Sequence, residues 1–220
     1  MINWGLIYDE LPNLLVGAWA TLYITAISVT IGVAIGLVIA ILRLSRRFWL
    51  RFPASAYVEA FRGTPMLVQI LLIWFGVFPL VGLNRAPAVL AGIVALGLNS
   101  GAYLGEIFRG GIQSIDKGQR EAALSLGMTE PQVMGYVILP QALANALPSI
   151  GNEFITLIKD SSLVSAIAVS ELTYTARLVA ARDYEYFTMY VGIAMIYFVM
   201  TFTTSRVLAK LEKRLRVGHK

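Results

Sequence analysis

The sequence predicts an all-α membrane protein of about five transmembrane helices, and three observations carry that prediction. Hydrophobic residues make up 57% of the 220 and charged residues only 14%, where soluble domains carry about a quarter charged. The charges are missing in long runs: Leu11 to Leu42, Gly63 to Asn84, Ala86 to Gly105 and Tyr186 to Ser205 contain none. Each run supplies the ~20 residues that a helix needs to cross roughly 30 Å of hydrocarbon. The basic residues, finally, collect between the runs, mostly on one side of the expected spans.

Taken in order, the first span covers residues 14–42. Its flank, MINWGLIYDE, is acidic and its apolar run is long, so it does not read as a cleaved signal. Gly32, Gly36 and Ala40 form a small-residue ridge suited to close helix packing. The second span, residues 63–83, opens with Gly63-Thr64-Pro65 just after Arg62, a sequence that sets a kink. The third covers residues 86–107. The fourth, residues 147–169, carries Glu153, Lys159 and Asp160 inside it. The fifth covers residues 186–208, and Trp74, Tyr186, Tyr190 and Tyr197 serve as interface anchors or packing. The whole of 1–220 is expected to be a single transmembrane domain.

Arg43, Arg46, Arg47 and Arg51 follow the first span, Arg109, Lys117 and Arg120 the third, and Arg206, Lys210, Lys213, Arg214, Arg216 and Lys220 the fifth. Thirteen of the eighteen Lys and Arg thus fall on one side, whereas the loops opposite hold only Arg85, Arg177 and Arg182. The expectation is an N-terminus outside and a cytoplasmic C-terminus. These charges flank spans and form no stripe on a soluble face, so a pI near 9.6 does not point to nucleic acid. Cysteine is absent, which removes disulfides and thiolate metal sites. No GxxxxGK[ST], HExxH, GxSxG or TVGYG pattern occurs. His219, the lone histidine, sits in the basic tail with no partner for chemistry. Neither an enzyme nor a cofactor is expected in the chain itself; energy for uphill transport has to come from another polypeptide.

The stretch SIDKGQREAALSLGMTEPQVMGYVILPQAL, from Ser114, predicts a helix–Gly–helix elbow on the basic side. Asp116 caps a short helix with Gln119 as reciprocal partner, and Gly127 ends it in the left-handed conformation. Thr129 and Gln132 form a second capping box, with Pro131 in the first turn of a helix running towards Pro140. Ala122, Ala123 and Gly127 keep the elbow's surface small, so that another protein's groove could approach.

Glu121-Ala122-Ala123, Gly127, Val137 and Leu139-Pro140 at these spacings resemble the EAA loop (residues 114–140) of ABC-transporter permeases; Val137 stands where that pattern usually has Ile. AFRGTPMLVQILL (Ala60 to Leu72), LNSGAYLGEIFRGGIQSIDKGQ (Leu98 to Gln119) and GNEFITLIKDSSL (Gly151 to Leu163) are similar to the histidine/glutamine/arginine type of polar amino-acid uptake permease. The resemblance implies that the first elbow helix is a coupling helix docking on an ATP-binding subunit through Glu121, Ala122, Ala123, Gly127, Leu139 and Pro140. It further implies two such ATPases holding ATP and Mg, a second permease subunit (identical or homologous), an extracytoplasmic solute-binding protein and a bacterial cytoplasmic (inner) membrane. A carrier or channel working without ATP is disfavoured because five spans give no inverted repeat. A mere ATPase anchor would leave the charges of the fourth span without a role.

Charge at membrane depth costs about 2.5–3.5 kcal/mol on insertion scales. On the third span Asn99, Tyr103 and Glu106 fall at i, i+4 and i+7; on the fourth, Glu153, Thr156 and Asp160 form a similar row. These two rows are expected to face a shared cavity at the subunit interface. Asn99, Ser100, Tyr103, Glu153 and Thr156 are candidates for the path of an amino acid, with Glu153 on the ammonium and Asn99, Ser100 and Thr156 as neutral partners. Arg62, Glu106, Lys159 and Asp160 are candidates for gating or for intramembrane ion pairs, Lys159 with Asp160 or Glu106 and Arg62 with Glu59. A structural role is the alternative for Glu153 as well. The outer loops, Asn84 to Pro87 and Thr173 to Glu185, are expected to receive the solute.

Overall fold

A computed structural model describes residues 2–217, with side chains to 213. Arg214, Arg216, His219 and Lys220 therefore fall outside the described side chains. The described residues are helices and short connections, with no strand among them. In chain order these are α1 (Trp4–Leu44), α2 (Phe48–Gly63), α3 (Met66–Leu80), α4 (Ala88–Gln113), α5 (Lys117–Ser125), α6 (Glu130–Ile167), α7 (Leu172–Asp183) and α8 (Tyr186–Val217).

Four of them, α1, α4, α6 and α8, are each long and apolar enough to cross a bilayer. The second expected span is different: α3 alone is about 22 Å long, short of a ~30 Å hydrocarbon layer. Only together with α2 is it long and apolar enough to cross, and the pair is bent by 110° at Thr64-Pro65. Pro65 has no N–H and its ring forces Thr64 into an extended conformation (ψ 148°), which is why the helix breaks there.

The best-packed contact is between α1 and α4. A Cβ on Gly32 would lie 2.8 Å from that of Ser100, and one on Gly36 would lie 2.9 Å from the backbone nitrogen of Gly105. The fit is reciprocal, since Gly97, Gly101 and Gly105 on α4 receive Ile31, Ile35 and Ile39 of α1. Glycines on both faces let the backbones come close and the isoleucines seat against them, the kind of packing that drives association where lipid competes for apolar contacts. Tyr57 of α2 reaches over Gly101 and donates its hydroxyl to the Leu98 carbonyl, tying α2 to the same wall.

Two helices widen into a π turn, Ile73–Val77 in α3 and Val133–Ile138 in α6, and each turn precedes a proline. The ring of Pro79 would strike the carbonyl of Phe75, and that of Pro140 the carbonyl of Tyr136, so the chain bonds one residue farther back. Phe78 N–H accordingly donates to Ile73 and Leu139 N–H to Met134.

Thr173 to Glu185, expected as an outer loop, is mostly helix α7. Its Ala176, Val179 and Ala180 are buried against Leu14 and Ala18 of α1 and Met189 and Ile193 of α8. Glu171 caps α7: its carboxylate accepts from the backbone of Thr173 (2.9 Å) and Tyr174 (2.8 Å). It also accepts from Tyr197 of α8 (3.0 Å) and Thr21 of α1 (3.4 Å). Tyr197, read from sequence as an anchor or packing residue, is thus part of a buried polar joint. At the tip, Arg182 bridges Asp183 and Glu10, fastening α7 to the start of α1.

Candidate functional site

The break between α2 and α3 leaves carbonyl oxygens without helical partners, and other groups have to satisfy them. Thr64 turns its hydroxyl back to the Ala60 carbonyl (2.7 Å). Gln69, buried four residues beyond Pro65, donates to the Phe61 carbonyl (2.7 Å), the Thr64 carbonyl (3.0 Å) and the Thr64 hydroxyl (2.9 Å). Its own oxygen accepts from Asn99 of α4 (2.9 Å), whose amide also approaches the Phe61 carbonyl at 3.4 Å. One side chain from α3 and one from α4 thus close the break and fix its angle.

Beside this knot lies a cavity of about 140 Å³ lined by Thr64, Met66, Asn99, Tyr103, Glu153, Thr156 and Asp160. It has room for on the order of five water molecules at liquid density. The break supplies Thr64 and Met66, the row on α4 supplies Asn99 and Tyr103, and α6 supplies Glu153, Thr156 and Asp160. Asn99 and Tyr103 of the first polar row meet the second row in a cavity within one chain, where the expectation was a cavity at the subunit interface, and Glu106 is not part of its lining. Two carboxyls, a phenol, a hydroxyl pair and an amide around this space can accept from an ammonium and exchange neutral hydrogen bonds.

Other candidates fall elsewhere. Ser100 is fully buried against Gly32 and does not line the cavity; among the described residues its hydroxyl has no hydrogen-bond partner, although the Glu153 carboxyl lies beside it. Glu106 is turned to the basic end of the bundle, where it pairs with Arg43 of α1 and Arg109. The expected pairing of Glu106 with Lys159 is not formed, because the two arginines already saturate the carboxylate. Arg62 does not pair with Glu59 either; its guanidinium sits over the Tyr103 ring, 5.3 Å from the centroid, at the edge of the cavity lining. Lys159 is exposed and forms no ion pair among the described residues, with Asp160 included.

The elbow forms a second feature. Asp116 caps α5 by accepting from Gly118 N–H (2.7 Å), while Gln119 faces Gln141 instead of returning to the cap. Gly127 has φ +85°, and Thr129 with Gln132 forms the reciprocal box. Arg120 and Glu130 bridge the two arms at 2.6 Å. Ala123 does not contribute to an open surface: it is buried against Val133 and Ile138 and holds the arms together. Glu121, Ala122 and Gly127 are exposed, with Leu126 85% exposed beside them. Leu139 instead lines an apolar groove with Leu37, Ile41 and Phe108.

Gln69 and Glu171 are the buried polar residues that sequence reasoning passed over. A glutamine in an otherwise apolar run, four residues after a proline, is the signal that could have revealed the first. Nothing local marks the second, whose four donors come from three helices.

Comparison with known proteins agrees with this architecture. Over 214 residues, 97% of this chain and 94% of the relative, it is 39% identical to a probable amino-acid ABC transporter permease protein, YckA, of Bacillus subtilis (strain 168). It is 36% identical to the glutamine transport system permease protein GlnP of Escherichia coli (strain K12), over 98% of each chain. A crystal structure of an amino acid ABC transporter with histidines has a chain 45% identical that superposes with a TM-score of 0.91, covering 97% of this chain and 99% of that one. An inward-facing MetNI methionine ABC transporter shares the fold, at a TM-score of 0.74 and 23% identity over 92% of this chain and 97% of that one. Residues 32–217 match the binding-protein-dependent transport system inner membrane component family, and the chain is a multi-pass member of it.

Proposed function

We propose that the chain is the permease subunit of an ATP-binding-cassette importer for amino acids, forming the translocation path by alternating access. The observation that carries the reading is the cavity at the helix break, where Asn99, Tyr103, Glu153, Thr156 and Asp160 converge. Glu153 takes the ammonium or a cationic side chain, and Asn99 and Thr156 offer neutral hydrogen bonds. Arg62 on Tyr103 and the Arg43–Glu106–Arg109 cluster act as gating contacts on the way to the basic end. Lys159 and Asp160 flank the same path. The amino-acid relatives support the substrate class.

In this reading two copies of a separate ATP-binding subunit hold ATP and Mg and hydrolyse it; this chain does no catalysis. The elbow, through Glu121, Ala122 and Gly127, docks on that subunit, Ala123 stiffens it from within, and Leu139 and Pro140 join it to α6. A second permease subunit, identical or homologous, completes the path in a bacterial inner membrane. The N-terminus faces outward, where a solute-binding protein delivers its load near Asn84 to Pro87 and α7. Glu153→Gln in the assembled, reconstituted transporter should cut solute-stimulated ATP hydrolysis and uptake by tenfold or more, the scale on which one charge-assisted hydrogen bond acts. Unchanged uptake with the variant folded would remove Glu153 from the path and leave it as a structural group.

A further inference from the structure

Between α1 and α2 the chain reads Arg46-Arg47-Phe48-Trp49-Leu50-Arg51-Phe52. Almost none of this segment packs on the protein: Trp49 is 84% exposed, Phe52 60% and Phe48 55%, and the three arginines are exposed as well. The only buried residues of α2, Ala54 and Val58, lie farther along. The three rings cluster with one another instead, Phe48 with its centroid 5.8 Å from Trp49 and 5.4 Å from Phe52. No acidic residue lies in the first turn of α2, and among the described residues Arg46, Arg47 and Arg51 enter no ion pair.

We propose that this segment is a binding surface for anionic phospholipid headgroups, with the Phe48–Trp49–Phe52 cluster inserted at the acyl boundary and Arg46, Arg47 and Arg51 on the phosphates. Its depth follows from α1. The charge-free run of Leu11 to Leu42 is 32 residues, about 48 Å of helix, close to the 40–45 Å of a bilayer with its headgroup layers. The segment begins where that run ends, so it lies at the membrane surface whichever way the chain is oriented. Aromatic rings with basic neighbours are suited to that layer, the rings replacing water by acyl carbon and the guanidiniums forking onto phosphate. Each basic residue near an anionic surface shifts partition by roughly fivefold, so three unpaired arginines give a marked preference over zwitterionic lipid. A partner protein seated on the same face is the competing occupant, and it would shield the rings from all lipids alike.

The test uses the assembled transporter in bilayers containing equal fractions of phosphatidylglycerol and phosphatidylcholine, with bromine on the acyl chains of one or the other. Fluorescence quenching lost in Trp49→Phe reports the lipid next to Trp49. Brominated phosphatidylglycerol should quench that component at least about fivefold more effectively than brominated phosphatidylcholine. The preference should vanish in R46Q/R47Q/R51Q and persist in R46K/R47K/R51K, which separates charge from side-chain shape. Equal quenching by both lipids in the unaltered protein, or no quenching by either, overturns the proposal. The second result assigns the face to a protein partner.

Discussion

Replacing Gly36 by alanine puts the α1–α4 wall to a direct test. The added Cβ would stand 2.9 Å from the Gly105 nitrogen and 2.9 Å from the Leu104 Cβ. Carbon contacts settle at about 3.5–4.0 Å, so the helices have to part by roughly 0.6–1 Å locally. The nearest obstacle is backbone and cannot rotate away. A gap of that size forfeits a quarter to a half of each neighbouring dispersion contact, and the same wall carries Gly32, Gly97, Gly101 and Gly105 in reciprocal fits. Overpacking of this kind costs about 1–3 kcal/mol, which for a chain of this size lowers the melting temperature by about 2–12 °C. Gly110→Ala on α4 is the matched control: nothing lies within 4 Å of its added Cβ, and the better helix propensity gains up to ~1 kcal/mol. A thermal-unfolding scan of the two purified variants should therefore show shifts of opposite sign. If Gly36→Ala melts with or above the unaltered protein, the close approach of α1 and α4 is wrong.

Gln69→Leu removes the donor that closes the α2–α3 break and strands the Phe61 and Thr64 carbonyls and the Asn99 amide; at about 1–3 kcal/mol for each unsatisfied group, the variant should unfold earlier and lose uptake, whereas an unshifted melt would show that the knot contributes nothing. Glu121→Arg changes an exposed side chain, so stability should stay within ~0.5 kcal/mol while the ATP-binding subunit is lost from affinity co-purification; retention of that subunit would sink the docking role. Arg182 holds the Asp183 carboxyl below its ordinary value of 3.8, chiefly by a hydrogen bond, and its own pKa is raised in return. A depressed carboxyl adds stability that is complete above its unfolded value and is lost as pH falls through the folded one. A melt series from pH 5 downward should show part of its acid loss disappear in Asp183→Asn and at high salt, because the clasp is exposed and screened.

Much of the architecture was legible because bilayer thickness leaves its mark on the chain. Charge-free runs of the right length located α1, α4 and α8, and the left-handed Gly127 with the Thr129–Gln132 box located the elbow. The break at Thr64-Pro65 was legible as a kink, but its 110° angle was not, since that depends on Gln69 and Asn99 meeting across two helices. Helix α7 was missed because Arg177, Arg182 and Asp183 give it the polarity of a loop, while the packing of its alanines on α1 is visible only in three dimensions. For the site, spacing was enough to place Asn99 with Tyr103 and Glu153 with Thr156 and Asp160 on common faces. The choice of ionic partner was not, because Arg43 and Lys159 are equally plausible partners for Glu106 until the helix ends are placed. Ser100, one residue from Asn99, lies about 100° farther round the helix, enough to turn it from the cavity to the wall.

The π turn ahead of Pro140 has a geometric consequence for the cavity. One residue added to a single turn advances everything beyond it by about 100° about the helix axis. The bearing of Glu153, Thr156 and Asp160 is therefore set at the elbow end of α6, by a proline that touches none of them. The elbow's second arm and the cavity row lie on one helical stretch, Glu130–Ile167, so the azimuth of Glu153 carries the register of the widened turn at Val133–Ile138.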